Sequence, residues 1–222
     1  MINPSILRAV RLKPFRYRGL AEASLDGSAI ETFKSDQRSR VWSVDAAGGT
    51  VVVKRFEFAP IKQRLSALIG RHPAQLELSW NQKLRNAKLP IVPIVDGGIE
   101  PCRLGCRVWL ATLWAGTSLQ RLLQRGRSDE AQCSAAINAA AQLTVSLIDA
   151  GFWFKDLKPS NIVIDVSGEA WLIDVGSARR SNHRQNVDRM LVVMQRVLLR
   201  DEVNEDLRER FASTVRRALG EV

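Results

Sequence analysis

Hydrophobic and polar positions alternate along much of the first half of the chain. The run Arg40–Val44 alternates, Ala46–Gly49 carries the small residues of a turn, and Thr50–Lys54 is rich in β-branched valine. A period of two and β-branched side chains are typical of strands. The pattern therefore predicts an antiparallel hairpin here, and two further strands are expected at Ile91–Val95 and Arg107–Leu113.

A helical period dominates the rest of the chain. Residues 61–89 place leucine and tryptophan at spacings that suit a buried helical face, and a second long helix is marked by the apolar positions of 137–148. A short hairpin, Ile162–Val166 and Ala170–Ile173 around a Ser-Gly turn, interrupts the later helices. The order predicts an α+β protein: a strand-rich half up to about residue 113, a linker, and a helix-rich half over about 114–222.

Composition narrows the class of protein. The chain has 222 residues, 45% of them hydrophobic and 25% charged, which is the balance of a globular protein with a sizeable core. No run reaches the roughly 18 apolar residues of a membrane span. The basic N-terminus, Met1–Arg18, lacks the apolar region of a secretory signal, and three cysteines with two histidines do not suggest a zinc site. Reduced thiols and a cytoplasmic location are the expectation.

The charge is strongly positive. Lys and Arg number 33 against 23 Asp and Glu, which gives a formal net charge of +10. This excess of positive charge favours binding to nucleic acid, to an anionic lipid surface or to a phosphorylated substrate, and net charge alone does not distinguish these three partners. Aromatic residues are only 6%, and no basic helix carries interleaved stacking side chains, so we expect no nucleic-acid partner.

Three polar side chains at fixed spacing carry the strongest chemical signal. Asp156 is followed five residues later by Asn161 and thirteen residues after that by Asp174. The predicted hairpin between Asn161 and Asp174 would bring an amide oxygen and a carboxylate together, which suits a hard cation such as Mg²⁺. Asp156 and Lys158 would face whatever that ion holds. Such an arrangement is typical of sites that catalyse phosphoryl transfer.

These residues resemble the motifs of the protein-kinase-like superfamily. Phe154-Lys-Asp-Leu-Lys-Pro-Ser-Asn161 stands for the catalytic loop, and Asp174-Val-Gly176 stands for Asp-Phe-Gly. The resemblance implies one two-lobed kinase-like domain over 1–222, with a strand-rich N-lobe at about 1–113 and a small, truncated helical C-lobe at about 114–222. It implies that Lys54, after Val51-Val-Val53, binds the phosphates of ATP and that Glu77 is its ion-pair partner.

A narrower resemblance is to the bacterial lipopolysaccharide kinase family, which phosphorylates Kdo or heptose sugars. It lies in the Gly-poor segment Lys34–Arg40 before Lys54, the Val-Lys-Arg-Phe strand at 53–56, the Leu-Pro-Ile-Val-Pro run at 89–93, and the Trp-rich linker. It implies an ATP- and Mg²⁺-dependent kinase that phosphorylates a sugar hydroxyl of the inner core, peripheral at the cytoplasmic face of the inner membrane. An aspartate on the closing helix, Asp188, would brace the catalytic loop or lie on a helix surface.

Two other functions stay open. A small Ser/Thr protein kinase is suggested by the intact Asp-x-Lys-x-x-Asn pattern, although the 46 residues after Gly176 contain no Ala-Pro-Glu and leave little room for a peptide platform. A pseudokinase or nucleotide-regulated scaffold is suggested by the missing glycines and by Phe154 and Lys155 in place of His and Arg. The acceptor sugar and the oligomeric state are not fixed by the sequence.

Overall fold

The computed structural model describes residues 29–37, 39–46, 49–56, 72–102, 105–125, 129–180 and 184–220. Within these ranges the chain forms ten strands and five α-helices, which confirms the prediction of an α+β protein. The predicted basic N-terminal element and the predicted helical residues 61–71 lie outside the described residues. The chain divides into two compact units, one containing Pro93–Trp114 with the residues up to Asn81, the other containing Gln82–Val92 and Ala115–Val222.

The first unit is built on a five-stranded antiparallel sheet. Its strands follow the order β1-β2-β3-β5-β4. The predicted hairpin is confirmed, because Trp42 pairs with Val53 and Ala46 pairs with Gly49 across β2 and β3. Their bounds are β1 Ala29–Ser35, β2 Ser39–Ala46, β3 Gly49–Phe56, β4 Ile94–Cys102 and β5 Gly105–Leu113.

Alternation along the strands gives this sheet two apolar faces. One face carries a cluster of buried side chains, namely Trp42, Val44, Val51, Val53, Trp109 and Ala111. Phe56, Val108 and Leu110 form the other cluster together with Ala74 of helix α1 (Pro73–Asn86). Burying a side chain of this size contributes about 1.5–3 kcal/mol. The even-numbered residues of β3, including Lys54, therefore share the face against which α1 begins.

The segment before β4 departs from the prediction. A strand was expected at Ile91–Val95, but β4 begins at Ile94. Ile91 instead forms a parallel bridge with Leu172, and the Val92 N–H donates to the Leu172 carbonyl at 3.1 Å. The Leu172 N–H in turn donates to the carbonyl of Pro90 at 2.9 Å. These bonds attach residues 82–92 to the second unit, although the sequence pattern assigned them to the strand-rich half.

The second unit combines four helices with short strands. Helix α3 packs against α5, and side chains cap both N-termini, Asp129 accepting from the Gln132 N–H and Asn204 from the Asp206 N–H. The helices are α2 Leu119–Arg125, α3 Glu130–Asp149, α4 Arg184–Arg200 and α5 Glu205–Ala218. Its strands are β6 Thr117–Ser118, β7 Phe152–Phe154, β8 Ile162–Ile164, β9 Ala170–Leu172 and β10 Ala178–Arg180.

The predicted linker contains Gly116, which a residue with a side chain could replace only if the neighbouring backbone moved. Gly116 has φ +142°, and a Cβ atom there would lie 2.1 Å from the carbonyl oxygen of Ile164. The next residue, Thr117, pairs with Ile164 in the β6–β8 ladder. Gly116 thus lets the chain pass close to β8. None of the described helices has the length and apolar character that crossing a membrane requires.

Candidate active site

An ion pair joins the third strand of the first unit to helix α1. The Lys54 Nζ atom lies 2.8 Å from Oε2 of Glu77, and their side chains are 20% and 8% exposed. The ammonium group also lies over the ring of Phe56, 5.0 Å from its centroid. Two charges this far removed from water are held only when geometry compensates for their desolvation. The structure therefore brings together the two residues that the sequence analysis paired across 23 positions.

Helix α1 positions Glu77 through a well-defined N-terminus. His72 precedes Pro73, the first helical residue, where a missing N–H costs nothing. The Nδ1 atom of His72 accepts from the Ala74 N–H at 3.1 Å, and Oε1 of Gln75 accepts from the His72 N–H at 3.3 Å. This reciprocal cap needs a neutral imidazole, and burial lowers the pKa of His72.

In the second unit, the loop after β7 carries Asp156 and Lys158. Buried Leu157 lies between them and anchors the loop, while their own side chains stay 52% and 34% exposed. Lys158 Nζ lies 3.0 Å from Oδ2 of Asp156. An ion pair this exposed adds little stability, so both groups are available to a ligand at small cost.

Asn161 is buried and fixed in orientation. Its Nδ2 donates to the backbone carbonyl of Asp156 at 3.0 Å. Because a carbonyl only accepts hydrogen bonds, this contact identifies the nitrogen and leaves the amide oxygen as the side chain's ligand atom. The Asn161 N–H donates to the carbonyl of Lys158 at 2.9 Å, closing the turn Pro159–Asn161. Asn161 thereby holds the shape of the loop that carries Asp156.

The β8–β9 hairpin brings Asp174 to the same end as Asn161. Ile162 pairs with Leu172, and beyond that pair the Ile173 N–H donates to the carbonyl of Asn161 at 2.9 Å. Asp174 follows directly, is exposed, and adopts left-handed backbone angles, φ +54° and ψ +52°. A non-glycine residue in this region is uncommon and marks a place where the surrounding structure imposes the conformation. The sequence-predicted hairpin between the two residues is confirmed.

The tip of this hairpin is held by one carboxylate that the sequence analysis did not single out. Asp165 accepts four hydrogen bonds, from the Ser167 N–H and Oγ, the Glu169 N–H and the Trp171 Nε1. The Ser167 hydroxyl and then the Trp171 indole are the main reasons why its pKa falls to about 2. An Asp before Ser-Gly is a recognisable turn signal. Asp165 therefore fixes the turn that connects the strand after Asn161 to the strand before Asp174.

The donor set at the open end of the hairpin fits magnesium. Mg²⁺ is usually bound by one or two protein oxygens, with water and substrate phosphates completing the octahedron. The Asn161 amide oxygen and the Asp174 carboxylate supply such a set. Across the described ranges, no group of three or more His, Cys, Asp or Glu side chains forms a metal-binding cluster. The Asn161 and Asp174 side chains are therefore the residues that could hold such an ion.

Other residues considered in the sequence make the following contacts. Between β1 and β2, within the Gly-poor segment, the Ser39 N–H donates to Oδ1 of Asp36 at 2.8 Å. Trp114, just after β5, stacks on Phe33 of β1 with ring centroids 5.7 Å apart, a pair not visible in the sequence because 81 positions separate the two residues. Asp188 lies exposed on α4, as the helix-surface alternative predicts.

Comparison of the chain with protein-family models and with curated proteins found no match.

Proposed function

We propose that this protein is an ATP- and Mg²⁺-dependent phosphotransferase with a two-lobed protein-kinase-like fold and an alcohol group as acceptor. The observation that carries the proposal is the Lys54–Glu77 ion pair at 2.8 Å. In protein kinases a lysine on the third strand binds the nucleotide phosphates and must pair with a glutamate on the following helix. Lys54 lies on the third strand of the sheet, and Glu77 lies on the next described helix.

Residues of the second unit would supply the remaining parts of such a site. Asn161 and Asp174 would hold Mg²⁺, which when bound neutralises charge on the nucleotide phosphates. Asp156 would orient the acceptor hydroxyl and take its proton, and Lys158 would stabilise charge on the transferred group. The 3.0 Å contact between Lys158 and Asp156 supports this division of roles, because it holds the carboxylate and the ammonium group side by side on one loop.

We further propose that the acceptor is a sugar hydroxyl of the lipopolysaccharide inner core, at the cytoplasmic face of the inner membrane. Two observations support this choice. The chain has a net charge of +10, which suits an anionic glycolipid at a negatively charged surface. The motifs also resemble those of bacterial lipopolysaccharide kinases, down to the Gly-poor segment before Lys54.

The test is transfer of labelled γ-phosphate from ATP to lipopolysaccharide purified from cells that lack this protein. Wild-type protein should add one phosphate to the inner core, read by mass spectrometry. Asp156→Asn preserves size at a side chain that is 52% exposed, so folding and Mg·ATP affinity should be unchanged. Its turnover should fall by roughly 10²–10⁴, or about 3–5 kcal/mol in the barrier. Normal turnover in this variant would reject the assignment of Asp156.

A protein acceptor is the second candidate, favoured by the intact Asp156-Leu-Lys158-Pro-Ser-Asn161 loop. Label that appears in lysate proteins and not in the glycolipid fraction would select it. Binding of Mg·ATP without transfer to either fraction would instead select a pseudokinase or nucleotide-regulated scaffold. Each outcome leaves the nucleotide site testable by itself, because ATP binding is measured without an acceptor.

A further inference from the structure

Helix α4 presents an exposed stripe that combines apolar and basic side chains. Val192 is 49% exposed and Leu199 is 59% exposed, seven residues apart and therefore on one side of the helix. Arg189, Arg196 and Arg200 are also exposed. At 100° per residue these five side chains fall within an arc of about 100°. We refer to these five residues as the α4 stripe.

The side chains on the opposite side of α4 are buried in the core of the second unit. Five apolar side chains there are at most 8% exposed, namely Val187, Met190, Leu191, Met194 and Leu198. The helix is therefore held in place by its inner face, and the stripe does not contribute to that packing. Large apolar side chains are costly to leave in water, and Val192 and Leu199 are two of only five large apolar residues that are notably exposed in the described part of the chain.

We propose that the α4 stripe docks the protein on an anionic membrane surface. An interfacial helix binds lipid when apolar side chains enter the acyl boundary and neighbouring basic side chains reach the phosphate groups. Arginine suits this geometry because its aliphatic stem covers apolar surface while its guanidinium reaches outward. The spacing of Arg189, Arg196 and Arg200 places a cation beside each apolar residue of the stripe.

The charge of the stripe selects this occupant over a second copy of the chain. Three arginines face two carboxylates, the exposed Asp188 at the border of the stripe and Asp201, which pairs with Arg200 at 3.2 Å, so the local net charge is +1, three minus two. Two copies of a positively charged face repel each other. Binding to the phosphates of nucleic acid would leave Val192 and Leu199 without an apolar partner. A surface of anionic headgroups over hydrocarbon matches both kinds of side chain.

Vesicle co-sedimentation tests the proposal without any acceptor or nucleotide. The probes are vesicles of phosphatidylcholine alone and of phosphatidylcholine with about one third phosphatidylglycerol. Wild-type protein should bind the anionic vesicles and bind the neutral vesicles weakly. The triple variant R189Q/R196Q/R200Q should lose affinity on the order of 100-fold, at about fivefold per arginine. V192S/L199S should lose about tenfold while keeping the salt dependence.

A matched control removes three exposed arginines elsewhere in the same unit. R125Q/R216Q/R217Q lowers the net charge by the same amount but leaves the stripe intact. It should retain most of the vesicle affinity, and all variants should keep the wild-type melting temperature. An equal loss in the control would show that binding follows total charge, and this would overturn the proposal. Unchanged binding in both α4 variants, with the basic N-terminal residues then responsible, would overturn it as well.

Two further results would contradict the proposal by naming another occupant. Concentration-dependent dimerisation that V192S/L199S abolishes would make the stripe a contact between copies. Duplex DNA binding that depends on the stripe more strongly than vesicle binding would make it a nucleic-acid surface. The inference does not rest on the proposed catalysis: Asp174→Asn should bind vesicles normally, and R189Q/R196Q/R200Q should bind Mg·ATP normally.

Discussion

Replacing Lys54 by methionine removes the cation that lies beside the buried carboxylate of Glu77. The two charged atoms are 2.8 Å apart, and the side chains are 20% and 8% exposed. At an effective dielectric constant near 20, the direct attraction at this distance is about 6 kcal/mol. Desolvation of both groups offsets most of it, so the pair itself adds little net stability.

The cost of breaking the pair is larger than its net contribution, because one charge is left buried. Removing one partner of a buried ion pair destabilises by about 3–5 kcal/mol. We expect Lys54→Met and Glu77→Leu to fall near the lower limit, about 3 kcal/mol each, since the lysine retains some access to water. The double variant removes both charges and with them only the small net contribution of the pair, so it should lose at most about 1 kcal/mol, which corresponds to a coupling energy of about 5 kcal/mol.

Urea unfolding of the four proteins measures these free energies, and ATP titration of the same samples separates stability from function. The double variant should recover stability relative to the sum of the single variants, yet it should bind ATP as poorly as Lys54→Met. Single-variant costs that simply add would refute the ion pair. Normal ATP affinity in the double variant would refute the role of Lys54 in nucleotide binding.

Two further predictions concern pH. The pKa of Asp165 lies at about 2, below its ordinary value of 3.8, so the stability that this carboxylate contributes is full above pH 4 and is lost as the pH falls toward 2. The melting temperature of wild type should therefore approach that of Asp165→Asn across this pH range. A constant difference between the two melting temperatures would contradict the prediction. Burial lowers the pKa of His72 from 6.5, so its cap on α1 is fully effective above that pH and weakens below it. His72→Asn keeps a capping oxygen that does not titrate, so in thermal scans this variant should lose less stability than wild type between neutral pH and pH 5. Equal losses of stability in the two proteins would contradict a neutral His72 cap.

The parts of the fold that depend on neighbours in sequence were predictable. The β-branched run before Lys54 and the small residues before it specify the β2–β3 hairpin, because both signals act within a few residues. The same holds for Asn161 and Asp174, whose separation by two short apolar runs and a Ser-Gly turn leaves a hairpin as the simplest connection. Local patterning therefore predicted this hairpin without knowledge of the packing.

The parts that depend on distant partners were not predictable. Ile91 looks like a strand residue, yet its partner is Leu172, which lies 81 positions later and carries no matching signal. Strand β10 has only three residues and is formed because Ala178 meets Phe154 of β7. The left-handed backbone of Asp174 likewise was not predictable, since aspartate alone does not require it.

Calorimetric titration of ATP, with and without Mg²⁺, tests most directly whether the protein binds ATP together with magnesium. Asp174→Asn is the sharpest variant, because asparagine tolerates the same left-handed backbone while losing the carboxylate charge. We expect wild type to bind ATP more tightly when Mg²⁺ is present, and we expect this gain to disappear in Asp174→Asn at an unchanged melting temperature. A wild-type protein that does not bind ATP, or a variant that keeps the full magnesium dependence, would contradict the proposed Mg·ATP site.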